Sequence, residues 1–146
     1  MIDNKDTKII EELVKDSRQT TSQLSKKLKI PITTIHNRIK KLAETGVIIN
    51  YTVNLNHALL GRTIPAYIWI SINYTVPGKK INQTETARQI KKIDGVYEVY
   101  MLTGGSDILV KALVKDITEL NNLVTEKLRN VPGVDKTQTS IILKEV

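Results

Sequence analysis

Nine residues, TTIHNRIKK at 33–41, concentrate the hydrogen-bonding chemistry of this 146-residue chain. Threonine hydroxyls and the asparagine amide offer both donors and acceptors, whereas lysine and arginine offer only donors. Such a set suits the reading of polar edges beside an anionic backbone. Catalysis has less to work with. There is no cysteine, which removes thiolate chemistry, disulfides and Cys-based metal sites. The two histidines, His36 and His57, stand twenty-one residues apart and form no His-x-x-x-His pair. No carboxylate cluster stands out as a metal site, and no cofactor is implied.

The charge is unevenly spread. The net charge is +7, and between Ser22 and Gly46 six basic residues (Lys26, Lys27, Lys29, Arg38, Lys40, Lys41) face one acid, Glu44. The other sixteen basic residues are nearly balanced by fourteen acids. Most of the excess therefore belongs to the segment that holds the polar cluster, as expected of a surface that attracts a polyanion.

Residues 2–46 read as three helices. The first follows Asp3, an N-cap type, and carries Ile9, Ile10, Leu13 and Val14 at helical spacing. The second starts near Thr21 or Ser22 and sets Leu24 and Leu28 on one face. The third follows Pro31 and ends near Gly46, with Ile35, Ile39 and Leu42 as a narrow apolar stripe. Stepping about 100° per residue from Ile35 puts Thr33, Asn37 and Lys40 almost opposite that stripe, with Thr34, His36 and Lys41 on the flanks. Arg38 borders the stripe, so its stem packs while its guanidinium reaches outward.

Two short helices joined by a turn at Lys29–Pro31 describe a helix-turn-helix, whose second helix enters the major groove. In that geometry Thr33, Thr34, His36, Asn37 and Lys40 face bases, and Lys26, Lys27, Arg38 and Lys41 face phosphates. Pro31 supplies no side-chain cap but suits a first helical turn. Lys29 in a left-handed turn costs roughly 1 kcal/mol. After Gly46, VIINYTV has the β-branched character of a strand, and NLNHALLGR at 54–62 reads as a connector that holds His57 on the surface.

Beyond the connector the period changes. AYIWISINY, VYEVYML, DILVKALV and TQTSIILK read as four strands, with helical stretches at 83–93 and 117–131. IKKIDGV at 90–96 is echoed by LRNVPGV at 128–134, each ending a helix and starting a strand. The expectation is a duplicated β-α-β unit, a ferredoxin-like βαββαβ sheet with both helices on one face. The third strand is apolar on both sides except for Lys111, which predicts a covered second face and a dimer of facing sheets. The fold class is thus α+β: a winged-type helix-turn-helix domain at 1–50, a strand and linker at 51–62, and a ferredoxin-like domain at 63–146.

The whole pattern resembles the leucine-responsive/asparagine-regulator (Lrp/AsnC) family of transcription regulators. Asp3, Asp6, Ile9 and Leu13, then Leu24, Leu28, Ile35, Arg38, Leu42 and Gly46 to Ile48 carry the first half of the likeness, and the TGGSD turn at 103–107 the second. The resemblance implies sequence-specific binding of double-stranded DNA, assembly into dimers, tetramers or octamers, and an amino-acid effector. It implies that Thr103, Gly104, Gly105, Ser106 and Asp107 help line an effector pocket between dimers, with hydroxyls from Thr137, Thr139 and Ser140. Backbone amides at Gly104 and Gly105 would meet a carboxylate, and Asp107 an ammonium group.

Two alternatives share parts of this architecture. Sirohaem decarboxylases resemble it but rely on histidines in the sheet domain, where this chain has none after His57. An RNA-binding sheet needs exposed aromatics; Tyr67, Trp69, Tyr97 and Tyr100 are available, but on a face expected to be covered. No run of about 18 apolar residues is present, and MIDNKDTKII is unlike a secretory signal, so a cytoplasmic location is expected and no membrane partner.

Overall fold

The computed structural model describes residues 2–78 and 80–144; Met1, Lys79, Glu145 and Val146, which the expected domain bounds include, lie outside the described residues. The chain divides into two compact units, Met1–Asn54 and Leu55–Val146. The expected linker at 51–62 therefore straddles the division.

The first unit holds α1 (Asn4–Lys15), α2 (Thr21–Leu28) and α3 (Ile32–Glu44). Asp3 caps α1 through a reciprocal box: its carboxylate accepts from the Lys5 and Asp6 N–H groups, while Asp6 accepts from the Asp3 N–H. Thr20 and Gln23 form the same box at the start of α2. The three helices close over Ile9, Leu13, Leu24, Ile30 and Ile35, with Leu28, Ile39 and Ile48 packed at the margin. Burying side chains of this size stabilises by about 1.5–3 kcal/mol each. Val14, expected among the apolar positions of α1, is 81% exposed.

The turn between α2 and α3 is tight. Lys29 adopts the left-handed conformation at φ 55°, and the Ser25 hydroxyl donates to the Ile30 carbonyl at 2.6 Å. Pro31 makes no side-chain cap, as its chemistry requires. At the far end Gly46 takes φ +74°, and the Ile48 N–H returns to the Leu42 carbonyl. No strand follows. Residues 47–53 are irregular, with Ile49, Tyr51 and Val53 exposed. The expected strand lacks a ladder partner within its unit, and β propensity alone does not make one.

The second unit runs β1 (Ile64–Ile72), α4 (Gln83–Lys91), β2 (Val96–Met101), β3 (Ile108–Val114), α5 (Ile117–Asn122) and β4 (Val134–Ile141). Its sheet order is β2-β3-β1-β4, antiparallel throughout, which is the ferredoxin-like arrangement. Ala66, Ile68, Ile70 and Ile72 of β1 join Ile108, Val110 and Ala112 of β3 beneath Ile90, Leu120, Leu123 and Leu128. The helix after α5 widens into a π-helical stretch at Leu123–Leu128.

The sequence echo is structural. Gly95 and Gly133 share φ +91°, and the bonds Ile93 N to Ile90 O and Val96 N to Ile93 O recur as Val131 N to Leu128 O and Val134 N to Val131 O. A side chain at Gly133 would meet Ile81 at 2.5 Å. His57 is not simply at the surface: it is half-buried, with its ring 4.9 Å from that of Tyr97 in an edge contact. Among the described residues, no helix is long and apolar enough to cross a membrane, and no cluster of three or more His, Asp or Glu could hold a metal.

Candidate nucleic-acid interface and effector turn

Helix α3 is amphipathic in the sense the interface requires. Ile35 is fully buried and Leu42 nearly so, while Ile39 packs at the core margin. Thr33, His36, Asn37, Lys40 and Lys41 are exposed, and Thr34 is half-buried. Among the described residues, the side chains of Thr33, Thr34, His36 and Asn37 have no hydrogen-bond partner. Lys40 lies 3.8 Å from Glu44 one turn on, an exposed pair. Such pairs contribute little and yield readily to another partner. The polar surface is thus presented but not used internally.

The residues expected at phosphates divide. Lys26 and Lys41 are exposed and make no ion pair among the described residues. Lys27 reaches Glu12 of α1 at 3.1 Å, though its side chain stays 56% exposed. Arg38 departs from the outward placement. Its Nη1 lies 2.8 Å from the Asp3 carboxylate and 2.8 Å from Asp6 Oδ1, so the guanidinium turns onto the cap of α1. At the border of the apolar stripe, a planar cation finds two carboxylates held close together by the capping box.

Those carboxylates respond. The Asp3 N–H and the Arg38 guanidinium together hold the Asp6 carboxyl below its ordinary value of 3.8. Asp3 is lowered by the Asp6 N–H and by Arg38. Arg38 is raised by both partners.

Sequence reasoning passed over Ile32. It occupies the first turn of α3 and is 44% exposed, beside Thr33. The available signal was its position: a first-turn residue ahead of the core stripe has no preceding turn to pack on.

The turn at 102–107 is built differently. The Leu102 N–H closes it on the Asp107 carbonyl at 2.8 Å, and the Gln83 side chain donates to that carbonyl at 2.7 Å. Asp107, for which the resemblance implies an ammonium partner, is engaged within the chain: its Oδ2 accepts from the Ile72 N–H at 2.7 Å and its Oδ1 from the Tyr74 hydroxyl at 2.8 Å, so the carboxylate ties the turn to the end of β1. That bond, with burial, raises the Tyr74 hydroxyl pKa. Thr103, Gly104 and Gly105 are exposed and Ser106 half-buried; among the described residues the Gly104 and Gly105 N–H groups have no partner.

Thr137, Thr139 and Ser140 are not gathered here. Thr137 and Thr139 pair with Ile70 and Ile68 on the helix-covered side, while Ser140 pairs with Tyr67 on the other. Successive strand residues face opposite ways, so the three hydroxyls cannot share one pocket within a chain.

Comparison with known proteins decides the family. Residues 66–146 match the model of the Lrp/AsnC ligand binding domain, and residues 2–49 that of a winged helix-turn-helix DNA-binding domain. The chain belongs to the Lrp/AsnC family. An HTH-type transcriptional regulator of Pyrococcus furiosus is 40% identical over 141 residues, 97% of this chain and 92% of that protein. The P. furiosus regulator FL11 is 38% identical over 144 residues, 99% of this chain and 91% of its own. Among solved structures, the Neisseria meningitidis regulator NMB0573 in complex with L-Met is similar at a TM-score of 0.90 and 27% identity, covering 100% of this chain and 92% of that one. Escherichia coli AsnC is similar at 0.85 and 25%, covering 99% and 94%. This Lrp/AsnC chain is a DNA-binding transcription regulator, with α3 in the position of the second helix of its helix-turn-helix.

Proposed function

We propose that the protein works as a homodimer on a roughly palindromic duplex, with α3 of each protomer in successive major grooves on one side of the DNA. One observation carries this reading: Thr33, His36 and Asn37 are exposed and have no side-chain hydrogen bond among the described residues, on a helix whose back is buried through Ile35. Thr33, Thr34, His36, Asn37 and Lys40 contact base edges, and Ile32 offers an apolar contact for a thymine methyl. Lys26 and Lys41 engage phosphates, joined by Lys27 when it leaves Glu12. The uncapped first turn of α3 adds backbone N–H donors for a phosphate.

Two surfaces support dimer assembly. The sheet face opposite the helices carries Tyr67, Trp69, Leu109 and Tyr100 in register across β1, β3 and β2. Residues 47–53 border a hollow of about 640 Å³ beside Val14 and Ile10, and beyond Ile48, whose N–H is bonded to Leu42, the backbone of 49–53 has no partner among the described residues and is available for strand pairing. Tetramers or octamers follow by further association of dimers.

The effector is an amino acid. The Neisseria relative was solved with L-Met, and here the unpartnered Gly104 and Gly105 N–H groups suit a carboxylate, in a turn that Asp107 holds in shape. Thr103 and Ser106 line it; Thr137, Thr139 or Ser140 contribute only from another chain. A regulator of this kind operates in the cytoplasm, where its DNA is.

Selection from random duplexes at a stated salt concentration, with and without the twenty amino acids, tests the reading. Enrichment of a two-fold-related sequence, altered by at least one amino acid, is expected. Recovery of no common sequence refutes DNA reading, and twenty silent amino acids refute the effector.

A further inference from the structure

We infer that Arg38, although it sits on the reading helix among basic residues, is a positioning residue that locks α3 to the cap of α1 through Asp3 and Asp6, so that DNA recognition requires these two acids. The inference rests on α3 being the reading helix.

The geometry is specific. Asp6 is nearly buried, at 8% exposure, and Arg38 keeps only 26% of its side chain exposed. One nitrogen, Nη1, meets both carboxylates at 2.8 Å, across thirty-five and thirty-two residues of sequence. Each carboxylate is itself fixed by a backbone donor: Asp3 Oδ1 takes the Asp6 N–H at 3.0 Å, and Asp6 Oδ2 takes the Asp3 N–H at 3.0 Å. The cap of α1 is therefore a rigid seat, and α3 is pinned where Arg38 leaves it, one residue from Asn37 and two from Lys40.

α3 needs such a pin. Its N-terminus has no side-chain cap, and its turn from α2 passes through a left-handed lysine. Its apolar contact with the core is one narrow stripe, Ile35 and Leu42 buried with Ile39 at the margin, so a contact off that stripe adds restraint against rotation about the helix axis. A planar guanidinium between two fixed carboxylates restrains that rotation directly. A small misplacement of base-reading side chains weakens sequence discrimination more than general attraction to phosphate.

The alternative use of Arg38, as a phosphate contact, predicts the opposite sign at Asp6. With a selected duplex in hand, binding of the wild-type chain, Asp6→Asn, Asp3→Asn and Arg38→Met is measured against salt, well below the melting temperature of each. At position 3 asparagine is as good an N-cap as aspartate; at position 6 its one amide oxygen can still accept from the Asp3 N–H, while the NH2 that replaces the other oxygen cannot accept from Arg38. Positioning predicts that Asp6→Asn and Arg38→Met each lower the ratio of specific to non-specific affinity at least five-fold, non-additively together. The salt slope then stays within experimental error of wild type. A phosphate role predicts that Arg38→Met lowers the slope by about 0.9, while Asp6→Asn leaves binding unchanged or tighter, having freed the cation and removed an anion. That result overturns the inference. So does a purely structural outcome, in which melting falls but the specificity ratio of folded protein does not. Failure to select any duplex would instead refute the DNA reading itself.

Discussion

The polar face of α3 and the turn at 102–107 are both rich in hydrogen-bonding groups, yet they treat those groups in opposite ways. On α3, Thr33, His36 and Asn37 are exposed and have no partner among the described residues. In the turn, Asp107 is engaged by the Ile72 N–H and the Tyr74 hydroxyl, and its carbonyl by Leu102 and Gln83. A folded chain normally satisfies the polar groups it buries and leaves to water those it presents. The first region is therefore an exposed polar surface whose side-chain hydrogen-bonding groups are unspent among the described residues. In the second the Asp107 side chain is already committed within the fold, while the Gly104 and Gly105 N–H groups have no partner among the described residues.

Substitutions break this contrast in graded ways. The largest effect is expected behind the reading face. Ile35→Ala removes a fully buried side chain and should destabilise the helical unit by about 2–5 kcal/mol. Thermal melting should show the first unit unfolding early and the sheet unit unchanged, with DNA binding lost in proportion to the unfolded fraction. Next comes the scaffold turn. Asp107→Ala leaves the Ile72 N–H without its acceptor and should cost the sheet unit about 1–3 kcal/mol, measured by denaturant titration.

Asn37→Ala should move stability by no more than about 0.5 kcal/mol but reduce discrimination by about 1–3 kcal/mol for each lost base contact. Lys41→Gln should affect neither stability nor base preference, lowering the salt slope by about 0.9 for one lost phosphate contact. Together these separate the two regions: changes on the exposed face register in binding and spare the fold, whereas changes in the committed turn register in the fold.

Acid offers the smallest perturbation. Asp3 and Asp6 are both held below their ordinary value of 3.8 in the folded chain. A depressed carboxyl stabilises fully above its unfolded value, and that contribution disappears as pH falls through the folded one. The helical unit should therefore melt at constant temperature from neutrality down to the ordinary carboxylate range, and progressively lower below it. Asp6→Asn should flatten that acid limb.

Much of this was legible in the residues because the governing interactions are local. Asp3 followed by Asp6 marks a cap, the Ile35–Ile39–Leu42 stripe sets the buried side of α3, and the echo around Gly95 and Gly133 reveals the duplicated β-α-β unit. What escaped depends on distant partners. Helical angle places Arg38 at the border of the stripe but cannot say that two carboxylates more than thirty residues earlier wait there. VIINYTV has strand composition, but a strand exists only with a neighbour to share its hydrogen bonds, and its own unit provides none. Thr139 and Ser140 carry like hydroxyls, but the face of the sheet each one takes follows only from the register of β4 on β1. His57 gained its contact with Tyr97 through the fold of the connector, which carries no periodic signal.

The measurement that bears most directly on the reading face is the affinity ratio between a selected duplex and its scrambled counterpart, for wild type and Asn37→Ala, at one salt concentration. The account predicts at least a five-fold fall in that ratio, with unchanged melting and unchanged affinity for the scrambled duplex. An undiminished ratio would contradict it.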